Sequence, residues 1–141
     1  MTRYLLDTNI LSHAVKPNPS AALGAWMVDQ ADEDLFTSAL NIAEIRRGIL
    51  LLASGKKRRA LENWFEGPSG PSAIFAGRIL AFEERAAFAW AGLMAEDRSR
   101  GRPRDPLDMI IASVALTNDC VIVTDNERDF AGLKIFNPTR G

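Results

Sequence analysis

The chain is poor in the residues on which many enzymes build their centres. Its 141 residues include one cysteine and one histidine. Cys120 alone closes no internal disulfide, and inside the run "CVIV" it reads as a buried thiol of a reducing compartment. With His13 the only imidazole, no His/Cys zinc set can assemble, and any Ser-His-Asp arrangement would rest on that residue alone. Charge of one sign is also missing: 17 basic side chains face 18 acidic ones, a net of −1, which argues against holding nucleic acid by bulk charge but leaves a local basic patch open. No apolar run approaches the ~20 residues of a membrane span. The first residues lack the basic start, apolar core and small-residue site of a signal peptide, so a cytoplasmic protein with no membrane association is expected. Nucleotide loops are absent too, since "SGKK" has Leu50 and Lys57 where a Walker loop needs Gly and Ser or Thr, and no GxGxxG opens a helix.

What is present suits one ordinary globular domain over residues 1–141, with 47% hydrophobic and 25% charged residues. "RYLL" (Arg3 to Leu6) reads as a short buried strand, followed by helical turns from Asn9 to about Ala14 that end at the "KPNP" breaker. A helix from about Ser20 puts Leu23, Trp26 and Met27 on one face, and "DLFTS" reads as a strand. Ile42, Ile45, Ile49 and Leu52 mark a long helix from Ser38 to Ala53. A basic-started helix then runs from Gly55 to Gly67, and "GPSGPS" (Gly67 to Ser72) reads as loop. "RILAF" (Arg78 to Phe82) suggests a strand, and Glu83 to about Asp97 a helix that is apolar nearly all round. Asp105 offers an N-cap and Pro106 a first helical position for a helix to about Asn118; "CVIVT" and "LKIF" are the last two strands. Strands separated by helices predict a mostly parallel sheet of about five strands, covered on both faces, in an α/β architecture.

The remaining chemistry lies in carboxylates. Asp7 follows "YLL" and Asp125 follows "VIVT", so a parallel sheet places both at its C-terminal edge, where open α/β sheets bind ligands. Asp108 sits at a helix N-terminus with Ile111, Ala112 and Ala115 on its side, so it is expected to point inward. Glu44 shares a helix side with Leu40, Gly48 and Leu51. Each has a plainer reading: Asp7 as a cap, Asp108 as a dipole partner, Glu44 paired with Arg47 or Lys16, Asp125 opening a turn. Four together are harder to dismiss. Two carboxylates about 4 Å apart repel by roughly 4 kcal/mol at an effective dielectric of ~20, so a cluster takes up protons or binds a cation. Oxygen donors without His or Cys select Mg²⁺ or Mn²⁺, and such an ion suits hydrolysis of phosphate esters by activated water. Arg98, Arg100, Arg102 and Arg104, in the loop before Asp108, are candidates for backbone phosphate contacts, with a solvated charged loop as the alternative. "KKRR" (Lys56 to Arg59) reads as a solvated helix face, and Trp26, Trp64 and Trp90 as packing residues rather than stacking platforms.

The ordered pieces "LLDTNILS", "NIAEIRRG", "DPLDMIIASVA" and "VIVTDNERDF" resemble the PIN-domain family, specifically VapC-type ribonuclease toxins of toxin-antitoxin pairs. "GKKRRAL", "FAGRILAF" and "IFNP" are most similar to its FitB-like branch. The resemblance implies a three-layer α/β/α fold, Mg²⁺ or Mn²⁺ dependence, endonucleolytic cleavage of RNA, dimerisation or a higher toxin-antitoxin assembly, and inhibition by a small cognate antitoxin covering the site. By position, Asp7, Glu44 and Asp108 match the family's first three acids. For the fourth, registering the block on Thr124 and Phe130 puts the family's Asp/Asn position on Asn126, so Asp125 and Asn126 compete, with Asp129 a distant third. Thr8, Asn9 and Thr124 would then hold the carboxylates in place. Two other classes stand beside this reading. A haloacid dehalogenase phosphatase needs a second Asp where Asn9 stands, and a degenerate PIN-like protein would bind RNA or a partner without cutting.

Overall fold

A computed structural model describes residues 1–140. Apolar alternation in the strands explains its layering. Leu5 and Ile122 turn to one side of the sheet, and their neighbours Leu6 and Val123 turn to the other, all four being buried. The sheet therefore separates two cores. Five strands, β1 (Arg3–Leu6), β2 (Leu35–Ser38), β3 (Ile79–Leu80), β4 (Cys120–Val123) and β5 (Ile135–Phe136), lie in the order β3-β2-β1-β4-β5, all parallel.

One face carries α6 (Glu84–Ser99) and α7 (Pro106–Thr117), whose Ala86, Met109, Ile111 and Val114 pack on Leu5 and Ile122. On the opposite face, α1 (Thr8–Ser12), α2 (Ala21–Val28), α3 (Ala39–Leu50) and α4 (Lys56–Glu66) contribute Ile10, Leu23, Ile45 and Leu61 to the core under Leu6. The expected three-layer arrangement is thus observed. Among the described residues no helix is long and apolar enough to cross a membrane.

Differences from expectation are local. The stretch read as loop contains a short helix, α5 (Pro71–Ile74), with Pro71 at its first position where a missing N–H costs nothing. "RILAF" keeps only Ile79–Leu80 as strand, since pairing with β2 spans just Thr37 and Ser38. The three tryptophans pack as expected: Trp26 meets Tyr4 edge-on at 5.0 Å between centroids, Trp64 lies against the core under Leu6, and Trp90 donates to the Pro106 carbonyl at 3.1 Å. Cys120 is buried, and that burial raises its thiol pKa.

The strand order fixes where a site can form. From β1 the chain moves outward one way through β2 and β3, and later the other way through β4 and β5. The direction switches between β1 and β4, so a crevice opens at their C-terminal ends. Asp7 and Thr124 occupy those ends.

Candidate metal centre at the sheet edge

Asp7 leaves β1 in extended conformation and stands at the N-cap of α1. Its main-chain N–H donates to the Val123 carbonyl at 2.9 Å, which locks the β1 end to β4. The side chain, 5% exposed, is held from several directions. Oδ1 accepts from the Thr8 N–H at 2.9 Å and from Asn41 Nδ2 at 3.0 Å; Oδ2 accepts from Thr124 Oγ1 at 2.8 Å, with Asn9 Nδ2 at 3.5 Å. All of these donors are neutral. Burial raises the Asp7 pKa above its ordinary value, and the charge of Glu44 adds to the rise, while the bonds from Thr124, Thr8 and Asn41 oppose it.

Glu44 belongs to the same network. Thr8 Oγ1 donates to Glu44 Oε1 at 2.6 Å and accepts from Asn41 Nδ2 at 3.0 Å. Asn41 therefore bridges Asp7 to the Glu44 partner, and its own position is set by helix capping. Ser38 caps α3, its Oγ accepting from the Asn41 N–H at 3.1 Å while Asn41 Oδ1 accepts from the Ser38 N–H at 3.3 Å. The sequence reading overlooked Asn41, although "SALN" at the start of a helix carries the Ser-x-x-polar signal of a capping box. Neither Arg47 nor Lys16 lies within ion-pair distance of Glu44 among the described residues.

Asp108 enters from the opposite layer. Asp105 caps α7, accepting from the Leu107 N–H at 2.8 Å and the Asp108 N–H at 3.2 Å, and this first turn leaves the Asp108 side chain half-buried. Its pKa is pushed up to about 7, first by desolvation and then by repulsion from Asp129, Asp105, Asp7 and Glu44. Asp7 and Glu44 thus meet Asp108 electrostatically across the crevice. No Lys or Arg pairs with any of the three among the described residues.

The contenders for a fourth place are arranged unequally. Asp125, partly buried, directs Oδ2 toward His13 Nε2 at 3.5 Å. Asn126 is exposed, its main-chain N–H donating to Thr124 Oγ1 at 3.0 Å. Asp129, in the 3-10 turn Glu127–Phe130, is the charge that Asp108 feels most, while the adjacent Phe130 is fully buried in the core. Among the described residues no three His, Cys, Asp or Glu side chains are grouped closely enough to hold a metal ion by themselves.

The four loop arginines also divide. Arg104 is withdrawn from solvent, with Nη2 2.7 Å from Asp97 Oδ1 and Nη1 donating to the Ala131 carbonyl at 2.8 Å. Arg100 pairs with Glu96, and Arg98 and Arg102 are exposed.

The PIN domain family model matches residues 4–135. The chain is 36% identical to VapC ribonuclease Y4jK of Sinorhizobium fredii over 136 residues, 95% of this chain and 96% of that one. It is 35% identical to toxin FitB of Neisseria gonorrhoeae, again over 95% of this chain and 96% of the relative. A solved structure of FitAB bound to an IR36 DNA fragment superposes with a TM-score of 0.86 at 34% identity, covering 98% of this chain and 96% of that chain. A match of this extent, on a parallel sheet with helices on both faces, means that the chain belongs to the PIN-domain family and within it resembles the VapC and FitB proteins.

Proposed function

We propose that the protein is a Mg²⁺- or Mn²⁺-dependent endoribonuclease serving as the toxin of a toxin-antitoxin pair. The observation that supports this reading is that Asp7 and Glu44 share the hydrogen bonds of Thr8 and Asn41 at the end of β1, that Asp108 feels both charges, and that among the described residues no Lys or Arg pairs with any of the three. Their oxygens fit a hard divalent ion, which would offset the desolvation and repulsion that raise Asp7 and Asp108. When bound, such an ion supplies Lewis-acid polarisation of a phosphodiester oxygen and makes a water more acidic.

The chain's own groups have distinct parts in this scheme. Asp7 and Asp108 are the principal ligands, and Glu44 completes or orients the set. Thr8, Asn9, Asn41 and Thr124 fix the carboxylate rotamers, so little ordering remains when the ion binds. For the fourth position, Asp125 or Asn126 follows from the sequence register. The repulsion that Asp129 exerts on Asp108 favours Asp129 electrostatically. A carboxylate of this group that is not ligating would take a proton from the attacking water.

The names of the relatives support the substrate class, and the FitAB assembly supports a small antitoxin partner and a multimeric complex. The test is incubation of purified protein with total RNA, with Mn²⁺ or with EDTA. Cleavage that requires the ion and is lost in folded D7N and D108N is the expected result. A degenerate PIN-like binding protein is the competing reading; calorimetric titration with Mn²⁺ would then show no binding.

A further inference from the structure

A groove of about 670 Å³ lies between the α6–α7 loop and the turn after β4. Four arginines line it, Arg100, Arg102, Arg104 and Arg128, against a single carboxylate, Asp97. That carboxylate is fully engaged. Asp97 is 3% exposed and receives the Arg104 main-chain N–H at 3.1 Å as well as its guanidinium. Arg104 also reaches the Ala131 carbonyl, so it ties one wall of the groove to the other. The bend that presents this carbonyl passes through Gly132, whose φ of +84° an L side chain rarely adopts.

With Arg104 committed, the groove still presents unneutralised charge. Arg102 and Arg128 are both exposed, and among the described residues neither has a carboxylate within ion-pair distance. On a chain with a net charge of −1, such a concentration is local by construction. The groove joins the α7 turn through the chain: Arg104 directly precedes Asp105, whose carboxylate caps the turn that carries Asp108.

We propose that this groove holds the sugar-phosphate backbone of single-stranded RNA next to the cleaved bond, with Arg102 and Arg128 as the phosphate contacts and Arg104 as the strut that sets their spacing. Exposed arginines without partners bind phosphate oxygens bidentately, and contacts to the backbone set position without reading bases. The inference rests on the ribonuclease reading and adds to it the path of the substrate, including Arg128, which lies outside the loop singled out by sequence.

The test is fluorescence anisotropy of a short labelled single-stranded RNA with the full chain in EDTA, so that binding is read without cleavage. R102A/R128A is compared with K57A/R59A, which removes the same charge from the exposed face of α4. The expected result is a roughly tenfold weaker Kd for R102A/R128A, with a salt dependence flattened by about 1.4, or about 0.7 for each lost phosphate contact. R102K/R128K should recover part of the loss and K57A/R59A should bind as the parent does. Equal losses in the two alanine pairs, or none in R102A/R128A while the parent binds and cuts RNA, overturn the groove alone. Unchanged RNA binding with weakened binding of the antitoxin assigns the groove to a protein partner and also overturns it. A parent protein that neither binds RNA nor cuts it with Mn²⁺ overturns both readings.

Discussion

Asp97 and Asp108 sit at the adjoining ends of two packed helices, and the fold treats them in opposite ways. Asp97, at the end of α6, is almost fully buried, and the Arg104 guanidinium holds its carboxyl below the usual range. Asp108, in the first turn of α7, is less buried, yet desolvation, joined by the charges of neighbouring acids and opposed by no cation, pushes its pKa up to about 7. Burial alone therefore does not decide an acid's fate; the source of its counter-charge does. At Asp97 the chain supplies the cation itself and gains a strut. At Asp108, among the described residues, no Lys or Arg pairs with the carboxylate, and the proposed ion would take that part.

The largest expected effect tests the functional half of this contrast. D108N and D7N should each lower Mn²⁺-dependent RNA cleavage by about a thousandfold, the several kcal/mol attributed to a bound ion in the transition state. D97N, assayed per folded molecule, should leave the rate near that of the parent. Equal rate losses in D97N and D108N would erase the distinction.

Next comes the structural half. R104A leaves a buried carboxylate without its partner and should lower stability by about 3–5 kcal/mol in urea titration. Replacing both members with apolar residues, D97L/R104M, should restore most of it, since removing a buried pair together is far less costly than breaking it.

Asp7 falls between the two cases, being buried among neutral donors. N41A removes one of them and leaves the Ser38 hydroxyl and Thr8 less satisfied. It should cost about 1–2 kcal/mol in stability and weaken Mn²⁺ binding by about 10- to 100-fold, measured by calorimetry. Unchanged metal affinity in N41A would mean that Asp7 needs no help in holding its rotamer.

The smallest effect is a pH dependence of opposite sign at the two aspartates. A raised pKa in the folded state means that the unfolded chain loses its proton first, so metal-free stability contributed by Asp108 falls as pH rises from about 4 to about 7. At pH 8, D108N should melt about 2–4 °C higher than the parent without metal, corresponding to roughly 1 kcal/mol for a half-exposed group, and the gap should close near pH 4. Asp97, with its lowered pKa, contributes stability above its ordinary value of 3.8 that is lost as pH falls below it. Thermal melts of D108N and D97N against pH should therefore diverge in opposite directions.

The sheet and its layering were legible because periodicity of burial is written in adjacent residues, as with Leu5 and Leu6 or Ile122 and Val123. Asp7 and Asp108 were legible as candidates because a strand ends and a helix begins at predictable places, and Glu44 because it shares a side of α3 with Leu40 and Gly48. Pairings across long chain separations were not. Nothing in "DRSRGRPRDP" says that Arg104 turns back to Asp97 while Arg102 stays in solvent; loop geometry decides that. Likewise, Asp125 leads its block in sequence, yet the 3-10 turn brings the charge of Asp129 to bear on Asp108 and leaves Asp125 with His13. The α5 helix was obscured by Gly and Pro that usually mark loops, although Pro71 is also a good helix start.

Asn41 joins two events that are usually separate. The residue that closes the first turn of α3 also donates to Asp7, so fraying of that turn and loosening of the Asp7 carboxylate are one motion. Amide exchange at the start of α3 would consequently report how often the crevice is competent, and a bound cation would slow that exchange from the far side of a strand end. The protein carries a gauge of its own readiness in the helix beneath its site.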